Sequence, residues 1–148
     1  MLKKLLKQRN KKGFTLIELI VVLVILAILV AAAAPAMMGY VNQAKKASYL
    51  ANCRAVYVAG QADITAQLGT TGSVATTNMA TNINKMVPEI AADKITVTGT
   101  TPATYTQDQY TVVVDITNQK ITEVSFKFGS GNNDIVTVKP GDSTNVMD

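Results

Sequence analysis

A chain of 148 residues with 48% hydrophobic side chains is long enough for one domain with a modest core. Its formal net charge of +4 does not indicate a nucleic-acid binder. Six of the fourteen basic residues (Lys3, Lys4, Lys7, Arg9, Lys11 and Lys12) precede the first apolar run, and the other eight face ten acidic side chains. There is no His and a single cysteine, Cys53, which excludes an intrachain disulfide and a Cys/His zinc site.

Residues 1–13 read as a basic leader. Every residue from Leu19 to Ala34 is apolar, and between Phe14 and Met38 only Thr15, Glu18 and Pro35 interrupt. At about 1.5 Å rise per residue, such a helix can cross a hydrocarbon core of about 30 Å. Positive residues are retained on the cytoplasmic side, which predicts the leader inside and the C-terminal domain outside.

The pattern predicts one long helix from residue 14 to about residue 68, in two halves. Residues 14–40 are apolar almost all round, as a membrane or fibre-core helix must be. Residues 41–69 are amphipathic: Leu50, Cys53, Tyr57, Ile64 and Leu68 fall on one stripe, with Lys45, Lys46, Arg54, Gln61 and Gln67 opposite or flanking it. Cys53 on this stripe reads as a small buried apolar residue. Gly69 is placed to end the helix in a left-handed cap. A helix of about 55 residues would be roughly 80 Å long and is expected to protrude from a small globule.

Residues 70–148 read as a globular part. Thr70–Asn82 has loop composition, a short helix is expected over Met79–Met86, and Pro88 breaks it. Strands are expected at Ile95–Thr98, Gln109–Ile116, Ile121–Phe128 and Asp134–Lys139, with turns at Thr117–Lys120 and Gly129–Asn133. That spacing suits an antiparallel β-meander, with the helical stripe as the cover for one face. The fold class is therefore α+β.

Lys11-Lys12-Gly13-Phe14-Thr15-Leu16-Ile17-Glu18 followed by an apolar run resembles the class III signal of type IV pilins and type II secretion pseudopilins. The close match covers about residues 11–39. The long helix and β-meander behind it are similar to that family's lollipop fold, less specifically. The resemblance implies cleavage between Gly13 and Phe14 by a membrane-embedded aspartyl prepilin peptidase, and methylation of the new amine on Phe14. Gly13 has no side chain to obstruct a protease. Glu18 is informative because a carboxylate in a membrane span costs several kcal/mol unless paired or neutralised. The resemblance implies that it pairs with the Phe14 amine of a neighbouring subunit. Pairing with its own amine, or snorkelling to the interface, are the alternatives. Pro35 removes an N–H and clashes with the carbonyl of Ala31, and Gly39 weakens the helix further. A kink or a melted stretch before Pro35 is implied; the alternative is that one helix ends there and another begins.

The implied partners are further copies of the chain in a helical homopolymer, the prepilin peptidase, membrane lipid before assembly and, indirectly, an assembly platform and its ATPase. The expected end state is an extracellular filament, with the chain as its major subunit. A pseudopilin of a secretion or competence system is the alternative within the family. A conventional secreted or membrane-anchored protein is the alternative outside it. No catalytic constellation is visible, so no enzymatic activity is expected. Gly131-Asn132-Asn133-Asp134 and Gly141-Asp142-Ser143-Thr144 are oxygen-rich, and major pseudopilins bind calcium in a C-terminal loop. Turns use the same residues and no full ligand set is visible, so no metal or cofactor is the expectation, with calcium in one of these loops as the alternative. Tyr49 and Tyr57 read as packing residues.

Overall fold

The computed structural model describes residues 13–131 and 134–141, with Ala36 described by its backbone alone. The expectations for leader residues 1–12, for Asn132 and Asn133, and for the tail from Asp142 lie outside the described residues. Elements follow in the order α1 (Leu16–Thr71), α2 (Met79–Met86), a 3-10 turn (Ala92–Lys94), β1 (Ile95–Thr98), β2 (Tyr110–Asp115), β3 (Lys120–Lys127) and β4 (Ile135–Val138). The α+β layout of a long N-terminal helix followed by a small sheet matches the pilin fold. The chain divides into two compact units, one ending at Val41 and one beginning at Asn42.

The first unit holds the apolar part of α1. Its Val and Ile residues are mediocre helix formers in water. In lipid, a helix satisfies every backbone N–H and C=O internally, so the apolar composition itself favours it. Helical structure is continuous through Pro35. Of the kink and the melted stretch implied before Pro35, the melted stretch is not seen, nor does one helix end there and another begin.

In the second unit, Leu50, Cys53, Val56, Ala59 and Ile64 of α1 are buried and join Val112, Val114, Ile121, Val124, Phe126 and Val136 in one core. The expected stripe therefore does cover the sheet, and it is wider than its three- and four-residue spacings suggested. Gly60 lies close against the sheet: a Cβ there would sit 2.5 Å from Ile121 Cδ1. Gly60→Ala is expected to change stability by less than about 1 kcal/mol, because better helix propensity offsets the displaced methyl. Gly60→Leu should cost about 1–3 kcal/mol by overpacking. Urea midpoints of the two variants check this graded response.

α1 runs past Gly69, which stays helical. The Thr70 and Thr71 hydroxyls donate to the carbonyls of Ala66 (3.0 Å) and Gln67 (2.9 Å), and the turn ends at Gly72, whose φ is +71°. The left-handed cap is thus Gly72. Gln67 is not a bystander on the polar face: its Oε1 accepts from Ala75 N at 2.7 Å and its Nε2 donates to Asp63 at 2.8 Å. Asp63 is buried and also accepts from Asn82 Nδ2 at 2.8 Å, which ties α2 to α1. Met79 and Ile83 of α2 face the core one turn apart.

The sheet order is β1-β2-β3-β4, with β2–β3 and β3–β4 antiparallel as expected. β1–β2 is parallel, so the sheet is mixed and not a pure antiparallel meander. The connection, residues 99–109, is close to the dozen or so residues that a parallel crossover needs and too long for a tight hairpin. It lies over the face of the sheet away from α1. Asp108 N donates to Lys127 O at 2.7 Å, Gln107 bridges to Lys127, and the Tyr105 hydroxyl donates to Glu123. Beneath it Thr111, Val113, Glu123 and Ser125 are buried, so both sheet faces are covered. β2 ends at Asp115, and Ile116, the last residue of the expected strand, is exposed in the turn. That turn is held by Asp115, which accepts from Asn118 N at 2.9 Å and Nδ2 at 2.7 Å; these bonds hold the Asp115 carboxyl below its usual range.

Candidate functional site

Gly13, Phe14 and Thr15 precede the first helical residue, Leu16, and all three are exposed. The backbone at the expected cut is therefore non-helical and open. Thr15 occupies the N-cap of α1 and Glu18 its third helical position. Glu18 N donates to Thr15 Oγ1 at 3.3 Å, while Thr15 N and Oγ1 approach Glu18 Oε2 at 3.4 and 3.5 Å. This reciprocal pair is a capping box, with bonds at the long end of the range. A cap of this kind is worth about 0.5–2 kcal/mol to the helix. Glu18 also places a negative charge in the first turn, where the helix dipole favours it.

Thr15 was not singled out from sequence, although Thr-x-x-Glu ahead of an apolar run is a helix-start signature. The capping box changes how Glu18 is to be understood. In the intact chain Phe14 carries an amide and no free amine. In that state the carboxylate has backbone and hydroxyl donors one turn away, which lowers the cost of holding it at the edge of an apolar segment.

Behind the cap, Leu16–Pro35 is long and apolar enough to cross a membrane, and among the described residues none of it is buried. Phe14, Leu16 and Ile17 are 79%, 76% and 65% exposed, and the exposure continues through Val30. Such a surface is stable only against lipid or other apolar helices. Pro35 lies inside α1 at the end of this segment.

The other residues considered from sequence fall elsewhere. Cys53 is fully buried, its thiol faces the carbonyl of Val136 at 3.9 Å, and burial pushes its pKa from 9.0 up to about 12. It is expected to resist alkylation at pH 8 until denaturant is added, as followed by intact mass. Folding favours the neutral thiol, so this contribution is complete below pH 9 and is lost as pH rises toward 12. Cys53→Ala should accordingly flatten the fall in melting temperature over that interval. Tyr49 stacks on Phe128 at 5.5 Å and tilts against Phe126 at 4.8 Å, and Tyr57 packs beside the core. Of the two oxygen-rich loops, Asn132, Asn133 and 142–144 lie outside the described residues. Asp134 uses Oδ2 to accept from Gly131 N at 2.9 Å, a turn-forming role. Among the described residues no group of three His, Cys, Asp or Glu is placed to hold a metal.

Residues 8–34 match the family model described as the prokaryotic N-terminal methylation motif. No curated protein and no solved structure matched the chain. A segment of this kind is the substrate of a prepilin peptidase and leads into pilus-type assembly machinery. With a capped helix start just after Gly13-Phe14 and an apolar helix behind it, the matched segment is the kind of class III signal peptide that type IV pilins and pseudopilins carry.

Proposed function

We propose that the chain is the major structural subunit of a type IV pilus-like extracellular filament. The prepilin is held as a single-pass membrane protein, leader inside and C-terminal domain outside. It is cut between Gly13 and Phe14, methylated on the Phe14 amine, and polymerised through α1. The observation that supports this best is the apolar surface of Leu16–Pro35, which none of the described residues covers. Lipid covers it before assembly and neighbouring copies of the same helix cover it afterwards.

Cleavage frees an amine on Phe14 one helical turn from Glu18. In the filament, Glu18 gives up part of its cap and pairs with the Phe14 amine of the next subunit. A mismatched stagger leaves two buried charges unpaired, which selects one register. A bend at Pro35 accommodates the helix in the filament core. The subunit has no enzymatic activity and needs no cofactor in this role.

Intact mass of the processed protein tests the reading. The expected chain begins at Phe14 and carries one added methyl group. A chain beginning near Pro35 or Met37 would instead mark an ordinary secretory signal and remove the filament reading. Micrographs of sheared surface filaments should show fibres whose subunit has the same mass.

A further inference from the structure

A cavity of about 350 Å³ in the second unit is lined by Asn42, Lys45, Lys46, Tyr49, Phe128 and Asp134. Its wall is stiff: Tyr49 stacks on Phe128, and the Lys46 ammonium lies 5.8 Å from the centre of that ring. Two ammonium groups outweigh the single carboxylate of Asp134, which already accepts from Gly131 N at 2.9 Å. Charge complementarity therefore calls for an anionic occupant. The same unit carries an acidic segment. Residues 88–94 join α2 to β1 and expose Glu89 and Asp93, while Ile90 between them is buried. The segment is held firmly. Ile90 N donates to Val87 O at 3.1 Å, Asn84 Nδ2 to Ile90 O at 2.8 Å, and Lys94 N to Ala91 O at 3.0 Å. Lys94 follows Asp93 in a 3-10 turn, where successive side chains diverge by about 120°. Among the described residues the only ion pair is Lys139–Glu123, so Lys45, Lys46, Glu89 and Asp93 all lack a partner of opposite charge.

Strand register fixes where the two features sit. Ile95, Tyr110, Phe126 and Val136 form one row across β1, β2, β3 and β4. The acidic segment leads directly into Ile95. Phe128 lies two residues beyond Phe126, and Asp134 two residues before Val136. Cavity and acidic segment thus lie at the same end of the sheet, on the sides of its opposite edges, β4 and β1. Three strand spacings, about 14 Å, separate those edges. Within one chain the two features do not meet, whereas copies set side by side bring the β1 edge of one to the β4 edge of the next. We propose that the cavity of one copy receives the Glu89–Asp93 segment of a second copy, with Lys45 and Lys46 facing its two carboxylates. The inference rests on the homopolymer reading, and it adds a contact between second units that polymerisation through α1 does not specify. Cavity and segment are different surfaces, so the contact is heterologous. Each copy offers one of each, and the contact repeats along an open filament instead of closing a pair. A segment already held in place loses little freedom on docking.

Carbodiimide cross-linking of sheared filaments, read by peptide mass spectrometry, tests this on the unaltered chain. Amide links are expected between Lys45 or Lys46 and Glu89 or Asp93, and they should be absent from dispersed subunits. In K45E/K46E like charges face each other, and filament yield should fall about tenfold or more while membrane-bound subunit is unchanged. K45E/K46E/E89K/D93K restores opposite charges and should recover most of the yield. K120E, at the other end of the sheet, should assemble normally. Links from the two lysines to other carboxylates alone, or the same links in dispersed subunits, overturn the contact and leave the homopolymer standing. So does normal assembly of K45E/K46E, or a swapped chain that stays in the membrane without recovering filaments. If the unaltered, processed chain forms no filaments, the homopolymer reading and this contact fall together.

Discussion

Glu18→Gln is expected to abolish filament formation while leaving the chain processed and in the membrane. The capping box makes this substitution more informative than Glu18→Ala. A glutamine in the third helical position can still accept from the Thr15 N–H, so the helix start survives. It carries no charge, so it cannot neutralise the Phe14 amine of a neighbour. Breaking a buried charge pair by removing one partner costs about 3–5 kcal/mol. At about 1.4 kcal/mol per tenfold, the association constant should fall by more than about a hundredfold. Glu18→Ala removes both the cap and the charge and should be no better. Thr15→Ala weakens the cap alone, and it should cost the helix start only about 0.5–2 kcal/mol. Sheared-filament yield against membrane-bound subunit, measured for the three variants, separates the roles. If Glu18→Gln assembled like the unaltered chain while Glu18→Ala did not, Glu18 would act as a helix cap and the pairing with Phe14 would be wrong.

The N-terminal motif was legible in sequence because it is a linear segment, basic residues and Gly13-Phe14 ahead of an apolar run, and the matched motif over residues 8–34 rests on the same information. The short helix lies around Met79–Met86 where one was expected ahead of Pro88, while the loop composition of Thr70–Asn82 hid its first turn. Strand pairing was not. Alternation along Tyr110–Asp115 is the same whether its neighbour runs parallel or antiparallel, and only the path of residues 99–109 decides. The burial of Glu123 and Ser125 was hidden for the same reason: in strand β3 they read as outward polar residues until the crossover is laid over them. Gly60 shows a further limit. A glycine within a helical pattern reads as a weakness, and its purpose is visible only once Ile121 is beside it.

Glu123→Ala is expected to be the most damaging polar substitution in the sheet. The Glu123 carboxylate is 5% exposed and accepts from the Tyr105 hydroxyl and from Ser125 Oγ at 2.8 Å. Ser125 continues the network to Thr137 at 3.0 Å, and the Lys139 ammonium sits 3.5 Å from the other carboxylate oxygen. Lys139 is 57% exposed and can return to water, so that ion pair contributes little. The main loss is the acceptor. Without it the Ser125 hydroxyl keeps only Thr137, and Tyr105 no longer anchors the crossover. Burial and the bond to Glu123 together push the Tyr105 phenol up to about 12, as expected for a hydroxyl held in its neutral, donating form. Removing a buried acceptor that two hydroxyls share costs about 1–3 kcal/mol, and Glu123→Ala should lower the melting temperature by roughly 5 °C or more. Glu123→Gln keeps an acceptor for Tyr105 and Ser125 and should cost about 1 kcal/mol. Hydrogen exchange locates the effect. In Glu123→Ala the Asp108 amide, which donates to Lys127 O across the crossover, should exchange faster than amides shared by β3 and β4. Uniform acceleration across the sheet would mean that Glu123 supports the core as a whole and that the crossover is held by its backbone bonds alone.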